Sequence, residues 1–302
     1  MKDFAQRMLK LFVMALLVIL TMPVSIRAQT AESSAIEDNA AKTMGAERFI
    51  YRQVGERSLK AFVFSPKTKG NGRPAILLFH GGAWQLADAS GLFGRAKEFS
   101  DKGLVAIAVD YSLANDGRTP IDSVDDTCAA FAWARQHAAE FGIDTNRVVG
   151  YGWSAGGHLV AAAATLPAIR ERKITPEERP NVLMLYSPAL NMAKDPFFTR
   201  IMLGKADPAL YSPSEYISRS LPPTLILQGE EDTIVYTKDA RAFCDAAQKS
   251  GVRCELHIYP GVGHLLTRNL KVQYRDFDAD PKFAKEAHEL EDAFLVSLGY
   301  MH

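Results

Sequence analysis

The chain has 302 residues, 47% of them hydrophobic, with 35 basic and 35 acidic side chains. A chain of this size can bury one large core, and a single α/β domain of about 250 residues is expected. Zero net charge offers no basic stripe to nucleic acid or to an anionic membrane surface, which argues against both as partners.

Lys2, Arg7 and Lys10 precede an apolar run at 11–20, and Pro23, Ser25 and Ala28 follow it. Basic start, apolar centre and small residue predict a signal peptide over 1–28, with export to the periplasm or the medium. The run is shorter than the roughly 20 residues of a membrane span. No stable membrane association is therefore expected after its removal; the alternative is a retained anchor. Residues 29–46 are polar and alanine-rich and read as a linker or a loosely docked arm. The folded domain is expected over 47–302.

Phe49–Gln53 and Leu59–Phe64 read as two opening strands around a turn at 55–57. From Pro74, strand and helix alternate: strand 74–79, helix 93–102, strand 104–110, helix 120–141, strand 147–151 and helix 154–165. Strands 182–187 and 223–228, helix 237–249, strand 253–259 and helix 281–298 complete the pattern. It predicts an α/β fold with a mostly parallel sheet of about eight strands and helices on both faces. The stretch 187–222, with Phe197, Phe198, Met202, Leu203 and Tyr211, shows no strand and reads as a small cap.

The segments after the strand ends carry the chemistry, because parallel sheets bind ligands beyond their carboxyl edge. After strand 147–151 comes Gly152-Trp153-Ser154-Ala155-Gly156, then an apolar helix. A serine between strand and helix, flanked by glycines, fits a nucleophile elbow. The glycines are expected to spare the serine a collision with its neighbours. The N–H of Ala155 opens a helix and can stabilise an oxyanion. Strand 74–79 runs into His80-Gly81-Gly82-Ala83-Trp84. Strand 223–228 runs into Gly229-Glu230-Glu231-Asp232, and strand 253–259 into Pro260-Gly261-Val262-Gly263-His264.

Oxyanion loop, serine, acid and histidine in this order resemble an α/β-hydrolase, in the esterase/lipase group related to hormone-sensitive lipase and the acetyl-xylan and feruloyl esterases. The resemblance runs from about Tyr51 to the C-terminus. The chain departs from the common pattern at Ala83 (a third glycine elsewhere), Ser112 (often arginine) and Val235 (often proline). The resemblance implies an α/β-hydrolase fold and a Ser154–His264–Asp232 triad. It puts the acid at Gly-x-x-Asp, with Glu231 as the competing carboxylate, and implies oxyanion donors from Gly82, Ala83 and Ala155. A serine hydroxyl needs a base, and an imidazole oriented by a carboxylate can serve. His80 is expected to brace its loop and His158 to be structural. Trp84, Tyr111 and Trp153 are candidates either for the substrate pocket or for plain core.

The remaining histidines show no ligand spacing, so no metal and no cofactor are expected. Cys244 on helix 237–249 and Cys254 on the next strand share an inward side. Export would allow them to pair; two separate thiols are the alternative. Cys128 is expected as a buried free thiol. The expected activity is a serine carboxylic-ester hydrolase acting on a small-molecule or polysaccharide-linked ester. Two readings compete: an arylformamidase-like amide hydrolase, favoured by His-Gly-Gly-x-Trp with Gln85, and a non-catalytic binding module.

Overall fold

Strands that are apolar at every position are buried on both faces, which places them at the centre of a sheet between two helical layers. The structure is a computed structural model and describes residues 34–68, 70–115 and 117–301. It begins with a helix at residues 34–43 (α1). A hairpin of β1 (Glu47–Val54) and β2 (Arg57–Phe64) follows, then β3 (Arg73–Phe79), α2 (Phe93–Asp101), β4 (Val105–Val109), α3 (Pro120–Gln136) and α4 (Ala138–Phe141). Next come β5 (Ile143–Trp153), α5 (Ala155–Thr165), a small hairpin of β6 (Ala168–Ile169) and β7 (Arg172–Lys173), and β8 (Val182–Tyr186). The chain closes with α6 (Pro196–Ile201), β9 (Thr224–Gly229), α7 (Thr237–Lys249), β10 (Cys254–Tyr259) and α8 (Pro281–Ser297).

The main sheet has eight strands in the order β1-β2-β4-β3-β5-β8-β9-β10. Only β2 runs antiparallel to its neighbours, β1 and β4. From β4 to β10 every pair is parallel. This is the α/β-hydrolase architecture. Alternate side chains divide between two cores. Ala75, Leu77 and Phe79 of β3 join Val124, Phe131, Leu159 and Phe243 of α3, α5 and α7. Ile76 and Leu78 join Phe93, Phe99 and Phe294 of α2 and α8 on the other face. The parallel strands deliver the loops after β3, β5, β8, β9 and β10 to one edge.

Three local differences have physical reasons. The helix expected over 120–141 is broken at His137, and its second piece ends at Gly142, whose φ of 69° is left-handed. The strand expected at 147–151 starts earlier, where Ile143 pairs with Arg73. The stretch expected as linker or loose arm contains α1, which is docked. Lys60 of β2, 7% exposed, sits against Glu37 Oε2 (3.3 Å), Asp38 Oδ1 (2.6 Å) and Ser34 Oγ (2.7 Å). Glu37 Oε1 also accepts the N–H of Ala89 at 3.1 Å. Ala41, buried, joins the core with Ala40 and Met44 packed against it, so the dock is part ion pair and part small apolar contact. Residues 1–33, with the expected signal peptide and cleavage point, lie outside the described residues. Among the described residues, no helix is long and apolar enough to cross a membrane.

The cap between β8 and β9 consists of α6 and two 3-10 turns, Pro208–Tyr211 and Pro213–Tyr216. It is anchored by Phe198 and Tyr211, both buried.

Candidate active site

Ser154 lies between β5 and α5 with φ 51° and ψ −115°. A non-glycine residue held there costs about 1–3 kcal/mol and needs surrounding structure to keep it. Its N–H donates to Tyr186 O (2.9 Å), and its carbonyl accepts from His158 N (3.1 Å). The glycines serve a different end from the expected one. A Cβ on Gly152 would overlap the Gly156 carbonyl, and one on Gly156 would overlap the carbonyls of Phe79 and His80. They let α5 begin directly against β5 and β3, rather than sparing the serine.

Three side chains from three loops form one hydrogen-bonded chain. His264 Nδ1 is 2.8 Å from Asp232 Oδ2, and His264 Nε2 is 2.9 Å from Ser154 Oγ. A carboxylate only accepts, so Nδ1 carries the proton and Nε2 is left to accept from the serine hydroxyl. All three residues are buried: Ser154 is 8%, Asp232 4% and His264 3% exposed. Glu230 and Glu231, the neighbouring carboxylates, are exposed. Asp232 Oδ1 accepts the N–H groups of Ile234 (2.9 Å) and Val235 (3.0 Å). A serine on an imidazole held by a carboxylate can be deprotonated as it attacks a carbonyl carbon.

Sequence reasoning missed the groups that hold this chain in place. Gln228 Nε2 donates to Asp232 Oδ2 (2.9 Å) and Val235 O (3.1 Å). Gln273, 2% exposed, accepts the N–H of His264 (2.9 Å) and of Thr233 (3.2 Å) on one oxygen. Its amide donates to Glu231 O at 2.8 Å. One side chain thus ties the acid loop to the histidine loop. Ser187 Oγ accepts from Leu265 N at 3.0 Å. A glutamine in a loop carries no periodic signal; the only hint was its place nine residues after His264.

The loop after β3 passes so close to the elbow that a Cβ on Gly81 would lie 3.2 Å from Ser154 Cβ. Gly82 has φ 106°, and a Cβ there would overlap the Leu86 carbonyl, so only glycine fits. Ala83, Trp84 and Ala87 follow with φ of 52°, 60° and 71°. Among the described residues, the N–H groups of Gly82 and Ala83 donate to no protein group. The first N–H groups of a helix, here those of α5 from Ala155, likewise lack an intrahelical partner.

Of the three residues left open between pocket and core, Tyr111 falls to the core. It is 0% exposed, stacks on His80 at 4.3 Å and donates its hydroxyl to His80 O at 2.9 Å. It braces the oxyanion loop from behind, and so cannot face a substrate. Trp84 is also buried: its Nε1–H donates to His158 Nδ1 (3.1 Å) and its ring meets Phe198 edge-on. His158 passes its Nε2–H to Tyr211 O at 2.8 Å. Burial lowers the pKa of this neutral imidazole to about 4. Trp153 alone keeps exposed surface, with its Nε1–H on Tyr151 Oη. His80 donates from Nδ1 to Gly81 O (2.7 Å), and burial lowers its pKa.

Cys244 of α7 and Cys254 of β10 are joined in a disulfide with a Cα–Cα distance of 5.4 Å; Cys128 is free and buried. Among the described residues, no group of three His, Cys, Asp or Glu side chains gathers as a metal site.

Residues 62–246 match the BD-FAE family model, and residues 207–296 match that of the dienelactone hydrolase family. The chain belongs to the BD-FAE family. The structure of Thermogutta terrifontis esterase 2 is 32% identical with a TM-score of 0.76, covering 85% of this chain and 96% of that one. An arylesterase of Saccharolobus solfataricus is 29% identical over 221 residues, 66% of this chain and 71% of the relative. Carboxylesterase NlhH of Mycobacterium tuberculosis is 35% identical over 106 residues, 34% of this chain and 33% of the relative. Fold, family and relatives together make this α/β-hydrolase a carboxylic-ester hydrolase.

Proposed function

We propose that this hydrolase cleaves short-acyl esters through an acyl-enzyme on Ser154. The unbroken chain from Ser154 through His264 to Asp232 carries the reading. His264 Nε2 takes the serine proton as Oγ attacks the ester carbonyl carbon. The carbonyl oxygen becomes an oxyanion that accepts from the N–H groups of Gly82, Ala83 and Ala155, each contributing about 3 kcal/mol. The imidazolium returns its proton to the departing alcohol, and water repeats the sequence to release the acid. Support comes from the esterase of Thermogutta terrifontis, whose structures are described as phosphonylated by sarin and as propionate- and butyrate-bound. Acetyl and feruloyl groups on polysaccharide are the natural forms that the family resemblance suggests. The enzyme is exported after removal of 1–28, on the pattern of Lys2 to Ala28; a mature N-terminus at Gln29 is expected, and recovery of Met1 would point to a retained anchor.

Paraoxon labelling tests the nucleophile. One equivalent should add to the peptide carrying Ser154 and abolish turnover of p-nitrophenyl acetate, whereas Ser154→Ala should take up none. Label on another residue with activity lost in step would refute the assignment. A survey of p-nitrophenyl esters, acetylated xylan and N-formylkynurenine should show the acetyl esters turned over fastest. Faster cleavage of the formamide would move the substrate class to aryl amides.

A further inference from the structure

Resting on the acyl-enzyme reading above, we propose that Phe277 forms the subsite for the alcohol half of the ester and selects alcohols that carry a flat apolar ring.

The order of the strands decides which side the alcohol occupies. β5, which carries Ser154, has β3 and the oxyanion loop on one side, and β8, β9 and β10 with the acid and histidine loops on the other. A scissile ester therefore lies with its carbonyl oxygen toward Gly82 and Ala83. Its C–O single bond points toward His264. When the tetrahedral intermediate collapses, that bond breaks and its electron pair goes to the alcohol oxygen, which takes the proton from His264 Nε2. The alcohol must leave from beside the imidazole.

Phe277 is the aromatic side chain at that position. Its ring stands edge-on to the His264 ring with centroids 6.2 Å apart, and half of its surface is exposed. No element of secondary structure carries it; it comes from the loop 268–280. That loop is nevertheless tied down on both sides of Phe277. Thr267 Oγ1 donates to Asp276 O (2.9 Å) and Asn269 Nδ2 to Asp276 Oδ2 (2.6 Å). Arg268 donates from its backbone to Asp278 O (2.9 Å) and from its guanidinium to Asp278 Oδ2 (2.7 Å). Thr267 bridges to Ala279, and Gln273 anchors the loop under the catalytic chain. With the chain on both sides of it tied down, this half-exposed ring offers contact at a reduced ordering cost on binding. Leu270 and Tyr274, 42% and 63% exposed, lie on the same loop and extend its apolar character.

Benzyl acetate and ethyl acetate form the same acetyl-enzyme from alcohols of similar leaving ability. Their ratio of kcat/KM therefore reads the alcohol subsite alone. Wild type should favour benzyl acetate. Phe277→Ala should lower kcat/KM for benzyl acetate about tenfold and for ethyl acetate less than twofold, from loss of ring contact and apolar burial. Phe277→Tyr should restore the ratio. Equal falls on both esters would mean that Phe277 only supports His264, and an unchanged ratio would mean that the alcohol lies elsewhere; either result overturns the subsite. A folded wild-type protein that takes neither paraoxon label nor either acetate would instead remove the acyl-enzyme reading on which the subsite rests.

Discussion

The two sides of the catalytic edge are held in different ways. On the acid and histidine side, buried side-chain amides do the holding: Gln228 under Asp232, and Gln273 between the two loops. As at Leu265 and Leu266 after His264, the backbone stands in left-handed conformations on the oxyanion side, at Gly82, Ala83, Trp84 and Ala87. There, Trp84, His158, Tyr111 and His80 lock it through rings and single hydrogen bonds. In the proposed mechanism the histidine side positions a side chain that moves a proton. The oxyanion side positions backbone N–H groups, whose direction only the main chain can set. Substitutions should therefore read out differently on the two sides.

The largest effect removes the chemistry from both. Ser154→Ala and His264→Ala should each lower kcat by about 10⁴-fold or more, and the double variant should fall little further, because the two act as a unit. Steady-state kinetics on p-nitrophenyl acetate test this; effects that multiplied would break the shared chain.

Next, Gln273→Ala leaves the buried N–H of His264 without its partner and frees the more exposed N–H of Thr233 and carbonyl of Glu231. A loss of about 1–3 kcal/mol in urea unfolding is expected, with a fall in kcat of about 10–100-fold as His264 drifts. Full kcat in a destabilised Gln273→Ala protein would show that the histidine side does not depend on its amide.

The oxyanion side should respond to acid. His158 has a folded pKa of about 4, below the ordinary 6.5. The unfolded chain then binds the extra proton first. The contribution of His158 is fully present above about pH 6.5, is lost as pH falls through about 4, and amounts to about 3 kcal/mol. Glu37, in the α1 dock, acts in the opposite sense. Burial, reinforced by Asp110 and opposed by Lys60, raises its pKa to about 7, so its contribution is present at low pH and is lost as pH rises from about 4.5 to 7. Melting curves of wild type and His158→Gln between pH 4 and 7 separate the two. The variant should be less stable at pH 7 and should lose less on acidification; parallel curves would discard His158 as the acid-sensitive group.

The smallest effect concerns the strand behind the histidine. The Cys244–Cys254 bridge spans a sequence separation of 10, and reducing it should lower stability by about 2–3 kcal/mol in the chain-entropy model. Thiol titration of the denatured, unreduced protein should find one free thiol, Cys128. Three would mean that the pair is not formed.

Legibility of the site followed the range of the interactions. Ser154, Asp232 and His264 could be read because each lies in the loop after a strand of the parallel sheet, which places all three on one edge, and because their motifs resemble those of α/β-hydrolases. Gln228, Gln273 and Ser187 gave no such sign, since the target of a polar side chain, whether 4 residues away or 78, is not written in a pattern of apolar positions. Tyr111 was open to either reading, pocket or core. Its side chain turns inward to His80, which no pattern of apolar positions encodes. The docking of α1 was only partly legible: beside Ala41 its buried face carries Glu37, and a buried carboxylate has meaning only beside Lys60 and the Ala89 N–H.

The sequence by itself determined the layering and the order of the catalytic loops. Both follow from strand-length apolar runs, helix periodicity and glycines at tight turns, which act over neighbouring residues. Tertiary structure alone decided the hydrogen-bond direction along Ser154, His264 and Asp232, the amides that hold it, and the placement of Phe277 against the imidazole. Those depend on where side chains from 4 to 110 positions apart come to lie, and such placements exist only once the two cores have closed on the sheet.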